Sequence, residues 1–295
     1  MTRTSRKVPV RVDGRELVLT NLDKVLYPEV GFTKAEVIDY YTRAAPVLLP
    51  HLRGRPLTVK RYPDGVGGMF FFEKNAPRHT PSWVRRVRLP VPGSTKNRET
   101  IDFAVIDDLP TLAYYANLAA LELHVPQWRV SPEDEPLPPD TLVFDLDPGP
   151  PATVVECCEV ALMLRDLLRE EGLTVRPKTS GNKGMQLYAD WDCREEPSAY
   201  AKRIARLLEK ERPRQVVSVM AKKVRPGKVF IDWSQNNPAK TTVAPYSLRA
   251  ASRPSVSTPL LWEEVENCER AEDLVFTAPD VIARVEEHGD LFARA

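Results

Sequence analysis

The sequence predicts a mixed α/β protein built as two packed modules. Strand-like alternation and helix-like periodicity interleave along the chain, a proline-rich acidic stretch (SPEDEPLPPD) interrupts it near the middle, and most residues with recognisable chemistry follow that stretch. At 295 residues the chain suits one large domain or two fused modules. We place an N-terminal α/β module over residues 1–130, a catalytic module over 141–254, and an acidic helical tail packing on the body over 255–295.

The elements follow in order. VPVRV and ELVLT alternate around Asp13-Gly14, the signature of a hairpin. Thr33 and Glu36 have capping-box spacing, and Val37, Ile38, Tyr41, Ala45 and Leu48 recur at helical intervals up to Pro50. LTVKRYP reads as a strand, GVGGMFFFEKNAPRH as a glycine-flanked loop, VRRVRLPV and TIDFAVI as strands, and LPTLAYYANLAALELH as one helix. SPEDEPLPPD reads as an exposed connection. Beyond it come the strand TLVFDLD, the turn PGPP, a helix over 152–171 ended by Gly172, and the strand TVRPKTS. The loop GNKG, the strand MQLYAD, a helix over 197–211, the strands QVVSV and KVFIDWSQ, and a weakly helical tail complete the chain.

Composition narrows the function classes. Hydrophobic residues make up 42% and charged residues 28%, and no apolar run approaches the roughly 20 residues of a membrane span. The basic start leads into a strand with no apolar signal region, so we expect a soluble intracellular protein. Cys157, Cys158, Cys193 and Cys268 suit neither a zinc knuckle nor a disulfide framework, so free thiols are expected. Net charge is +1, but residues 255–295 hold ten acidic and three basic side chains, which leaves a basic body suited to a phosphate-rich partner.

Asp145 and Asp147, two apart on a strand, share one face while Phe144 and Leu146 take the other. Two carboxylates on one face repel unless a divalent cation sits between them; a pair of solvated strand-end acids is the plain alternative. Asp232 ends another apolar strand, and three such acids are the minimum set for a two-metal phosphoryl-transfer site. TSGNKG offers Ser180, Lys183 and backbone N–H groups to phosphate, though a hairpin turn would look the same. AKKVRPGK adds a basic cluster that equally suits a solvated face; Arg225 and Arg249 are the candidates for triphosphate contacts, because guanidinium forks match phosphate oxygens.

NLDKVLYP, FFEKNAPRH, LELHVPQW, LVFDLDP, TSGNKG, KVFIDWSQN and AKTTVAPYSLRA occur in this order across nearly the whole chain. Together they resemble the polymerase domain of bacterial DNA ligase D, of the archaeo-eukaryotic primase superfamily, which works in non-homologous end joining. No ligase or nuclease module accompanies them, so the chain resembles a stand-alone form.

The resemblance implies a primase-polymerase fold with central, mostly antiparallel sheets flanked by helices. It implies a nucleotidyltransferase that extends a primer 3′ end, fills gaps or processes broken DNA ends, with a preference for ribonucleotides. Asp145, Asp147 and Asp232 would bind two Mn2+ or Mg2+ ions. His124 would contact the nucleotide near its sugar, and Ser180, Lys183, Gln186, Arg225 and Arg249 its phosphates. Phe71 and Phe72 would stack on bases, unless they form a buried aromatic cluster. Asn21, Lys24 and Lys34 would recognise a 5′-phosphate across a gap, with Lys60 near the nucleic-acid path. The implied partners are gapped or broken DNA, NTP or dNTP, Ku and a DNA ligase; the implied state is a monomer in the cytoplasm, associated with the nucleoid.

The chain departs from the family at Gln186, where a histidine is usual and is expected near the nucleotide phosphates; glutamine keeps a donor but cannot carry charge. Two other readings stay open. One is a haloacid-dehalogenase-like phosphatase, although Gly149 stands where that family's motif needs Thr or Val. The other is a DNA-end-binding scaffold without useful activity.

Overall fold

The computed structural model describes residues 7–91, 99–192 and 195–294; Cys193 lies outside them. The chain runs β1 (Lys7–Val12), β2 (Arg15–Thr20), β3 (Val25–Tyr27), β4 (Phe32–Thr33), α1 (Lys34–Leu52), β5 (Thr58–Arg61), β6 (Phe71–Glu73), β7 (Arg86–Pro90) and β8 (Thr100–Ala104). Then come α2 (Leu109–Asn117), β9 (Ala120–Val125), β10 (Trp128–Val130), β11 (Pro136–Pro139), β12 (Thr141–Pro148), α3 (Val154–Glu170), β13 (Val175–Thr179) and β14 (Met185–Asp190). The last elements are α4 (Pro197–Glu211), β15 (Val216–Val217), β16 (Val229–Asp232), β17 (Thr242–Val243), α5 (Trp262–Glu266) and α6 (Ala278–His288).

Two sheets form the centre. One has the order β13-β14-β12-β16-β15, antiparallel except for β15 with β16; the other has the order β17-β9-β5-β6 and is antiparallel throughout. Strand β12 is buried on both faces. Leu142, Phe144 and Leu146 pack with α3 and α4 in one core, while Val143 joins Tyr188, Leu248 and the helices α1 and α2 in the other. Asp145 and Asp147 follow the Val143 face, so the alternation of β12 turns them towards the second sheet and its helices. The segment after Pro254 closes both cores: Val281 and Ile282 pack into one, Leu260, Val265 and Leu274 into the other.

The Asp13-Gly14 hairpin forms with both residues at positive φ, and the Thr33–Glu36 capping box starts α1. Other expectations are corrected. LPTLAYYANLAALELH is not one helix: α2 ends at Asn117, Ala119 turns the chain at φ 56°, and ALELHV becomes β9. The pairing of β9 with β5 and β17 and the burial of Leu121 and Leu123 override the helix propensity of its Ala, Leu and Glu. The Phe-rich loop contains an edge strand, β6, and the proline-rich connection contains β11, which pairs only with β10, as prolines on an edge allow. Helix α1 continues past Pro50 to Leu52, and the Asp232 strand stops at Asp232, where Trp233–Asn236 forms a 3-10 turn. Among the described residues no helix is long and apolar enough to cross a membrane.

Candidate active site

The two acid-bearing strands pair in register, with Asp145 opposite Asp232 and Gln186 opposite Asp145 on the other side. Like charges directly opposite on a sheet repel. Burial and the nearby Asp147 and Asp232 charges push Asp145 up to about 7, against a hydrogen bond from Gln186; burial and Asp232 also raise Asp147. Asp232 turns its oxygens into its own loop, accepting from Ser234 N at 3.0 Å, Ser234 Oγ at 2.5 Å and Gln235 Nε2 at 2.9 Å. Among the described residues no three carboxylate, imidazole or thiol side chains converge as they stand. The donor chemistry nonetheless fits a cation: hard oxygens, crowded and partly desolvated, with no basic side chain hydrogen-bonded to Asp145 or Asp147.

Glycines set the close packing around these strands. A Cβ on Gly184 would lie 2.0 Å from the Leu146 carbonyl oxygen, and one on Gly149 would lie 2.1 Å from that of Arg225. The GNKG loop therefore rests directly on β12 between the two aspartates. Ser180 Oγ accepts from Gly184 N at 3.2 Å and closes this loop, Lys183 is exposed, and Gly181 sits against the Arg249 side chain.

Arg249 joins this loop to the second sheet. Its Nε lies 3.7 Å from Glu122 Oε1 and has no hydrogen-bond partner. Glu122, only 3% exposed, also pairs with His124 Nε2 at 3.0 Å and lies 3.9 Å from Lys60 Nζ. Burial would raise its pKa, but the His124 hydrogen bond and the Arg249 charge bring it down to about 2, so Glu122 remains anionic and orients all three candidates. Burial lowers the His124 pKa against the pull of Glu122. Lys60 lies 4.1 Å from the Phe70 ring and 5.6 Å from that of Phe72, and Phe72 meets His124 edge-on at 6.2 Å. Phe71 and Phe72 are 43% and 57% exposed, so they are not a buried cluster. A groove of about 980 Å³ leads away from them past Phe103, Trp128, Leu137 and Pro238.

The remaining candidates lie apart or are engaged. Arg225 donates to the Met220 carbonyl oxygen at 2.6 Å and stacks on Phe230 at 3.6 Å. Gln186 is 4% exposed with both ends of its amide on protein groups: Nε2 donates to Asp145 at 2.9 Å, and Oε1 accepts from Lys178 at 2.6 Å. Asn21, at φ 53°, Lys24 and Lys34 form a second cluster near β4. Lys24 pairs with Asp64 at 2.7 Å, whereas Lys34 is 5% exposed and its side chain donates to Thr20. Burial, with the charges of Lys24 and Arg61, lowers Lys34 to about 8.

Glu122 and Lys178 escaped the sequence reading. Reading LELH as a strand would have put Glu122 and His124 on one face; Lys178, inside PKTS, carried no comparable signal.

Comparison with known proteins identifies the family of the chain. The family model for the LigD primase-polymerase domain matches residues 33–292. The chain is 45% identical over 278 residues to the multifunctional non-homologous end joining protein LigD of Mycolicibacterium smegmatis, covering 93% of this chain and 35% of that protein. It is 32% identical to the bifunctional LigD of Bacillus subtilis, covering 93% and 43%. The chain thus spans well under half the length of these curated relatives. The solved polymerase domain of Mycobacterium tuberculosis ligase D, in complex with DNA, superposes with a TM-score of 0.86 at 43% identity, over 93% of this chain and 96% of that one. The chain therefore belongs to the LigD primase-polymerase domain family, a family of metal-dependent, template-directed nucleotidyltransferases.

Proposed function

We propose that this chain extends a nucleic-acid 3′ end by nucleotidyl transfer at Asp145, Asp147 and Asp232, filling gaps or processing ends in the repair of broken DNA. The observation that carries this reading is the opposed, half-buried Asp145–Asp232 pair beside the Glu122–His124–Arg249 cluster, with the GNKG loop spanning the two. Two cations, Mn2+ or Mg2+, bound by the three aspartates would supply the charge that favours attack by a 3′-hydroxyl and departure of pyrophosphate. Asp232 would join the set by releasing Ser234 and Gln235. Arg249, Lys183 and the Ser180 loop would receive the triphosphate, with Arg225 beside Asp147, and Gln186 would act from behind Asp145. His124, held by Glu122, would face the sugar, where a ribonucleotide hydroxyl offers it a hydrogen bond. Phe71, Phe72 and Lys60 would carry unpaired bases and their backbone into the apolar groove, and Asn21, Lys24 and Lys34 would take a 5′-phosphate across the gap. A ligase sealing the filled gap and the end-binding protein Ku are the partners this reading implies.

The test is primer extension on a 5′-phosphorylated gapped duplex, with each metal and with NTP against dNTP. Template-directed addition supports the reading. No addition under any of these conditions, or undiminished addition by Asp145→Ala, would sink it.

A further inference from the structure

One rung of the larger sheet crosses four strands: Lys178 on β13 faces Gln186 on β14, which faces Asp145 on β12, which faces Asp232 on β16. Lys178 is fully buried. Its Nζ donates to Gln186 Oε1 at 2.6 Å and to Ser257 Oγ at 2.6 Å, and lies 5.3 Å from the Tyr188 ring. Among the described residues no carboxylate is hydrogen-bonded to it. We infer that Lys178 is a positioning residue that acts through Gln186 on Asp145.

The reason lies in donor and acceptor counting. Lys178 Nζ donates to the Gln186 oxygen, which leaves the Gln186 N–H to face Asp145. Turning the amide over would oppose donor to donor and leave the Asp145 oxygen without its bond. Asp145 Oδ1 is thereby held in one place, and its other oxygen is left for a cation. Ser257 anchors the far end: its hydroxyl donates to the Thr179 carbonyl oxygen at 2.8 Å while accepting from Lys178. The segment after Pro254 thus reaches the acid cluster through three side chains. Burial holds the Lys178 pKa well below the usual lysine range, so a basic side chain is costly here and an apolar one would serve packing better. The arrangement is understandable as support for a metal ligand, in the way that outer partners orient ligands elsewhere.

The inference rests on Asp145 being a cation ligand, so its test reads Mn2+ binding as well as catalysis. Mn2+ alone is titrated into the whole chain and followed by the paramagnetic resonance of the free ion, and single-nucleotide extension is measured beside it. Lys178→Met should weaken Mn2+ binding about 10-fold. It should lower kcat by a similar factor and leave KM for the nucleotide within about twofold. Gln186→Met should do the same, and the double variant should be no worse than either single one, because both act on one carboxylate. Wild-type Mn2+ binding in Lys178→Met, or losses that multiply in the double variant, would overturn the inference. Should Lys178→Met fail to fold, Ser257→Ala loosens the same amine and should weaken Mn2+ binding roughly two- to threefold, but not in the Gln186→Met background; unchanged binding overturns the inference there too. A wild-type chain that binds Mn2+ without extending any primer refutes the polymerase reading and leaves the Lys178 comparison intact.

Discussion

Asp145 and Asp232 stand directly opposite each other across the antiparallel pair β12 and β16, so the fold holds two carboxylates against each other in one rung of a sheet. Burial, Asp147 and Asp232 together raise Asp145 to about 7. An acid raised in this way favours the fold only while it keeps its proton. That contribution is present below about pH 4 and is lost as pH rises towards 7, because in this window the folded state binds more protons than the unfolded one.

Asp145→Asn should therefore stabilise the metal-free protein at pH 8 while abolishing extension. Thermal melts should show a gain of roughly 2–4 °C for each kcal/mol of repulsion relieved, shrinking towards pH 4. A melting temperature unchanged or lower at pH 8 would count against the repulsion described here.

Gly184→Ala should damage the site from behind. Its Cβ would fall 2.0 Å from the Leu146 carbonyl oxygen, on backbone that cannot yield as a flexible side chain would. We expect a loss of about 1–3 kcal/mol or more in chemical denaturation, with extension falling further than stability. A variant as stable and active as wild type would show that the loop does not sit on β12 this closely.

Lys34→Ala should weaken binding to gaps carrying a 5′-phosphate and hardly affect gaps with a 5′-hydroxyl. Because Lys34 is lowered to about 8, the advantage of the phosphorylated gap in wild type should shrink between pH 7 and pH 9 as the ammonium loses its proton. Fluorescence anisotropy on the two substrates tests both statements. Equal losses on both would make Lys34 an ordinary structural lysine.

Phe72→Ala should cost about 1–3 kcal/mol of affinity for single-stranded template, since each stacked base contributes that much. Its melting temperature should stay close to wild type, because the ring is 57% exposed. A large fall in stability with unchanged template affinity would reverse the assignment.

Gln186→His should leave extension within a few fold of wild type and give no advantage below pH 7. A neutral imidazole can accept from Lys178 and donate to Asp145 as the amide does, whereas a protonated one has no lone pair left to accept from Lys178. Extension at pH 6 and pH 8 measures this. A marked gain at pH 6 would mean that residue 186 reaches the nucleotide phosphates after all.

The sequence by itself determined the local elements and the acids. The Asp13-Gly14 hairpin, the capping box at Thr33, helix α4 and the alternation of TLVFDLD are short-range patterns, set by backbone sterics and side-chain periodicity within a few residues. Asp145, Asp147 and Asp232 were legible because carboxylates at the ends of apolar strands conflict with burial and so announce themselves. Only the tertiary structure decided that LELH is a strand, since its pairing partners on β5 and β17 lie about 60 and 120 residues away in the chain. It also decided that Gln186 serves Asp145, that Glu122 gathers His124, Lys60 and Arg249, and that Lys178 is an interior amine. A glutamate or a lysine reads as a surface residue in sequence, because ordinary solvation is its cheapest state. What makes it otherwise is the closing of two sheets around it, a long-range event that no local pattern encodes.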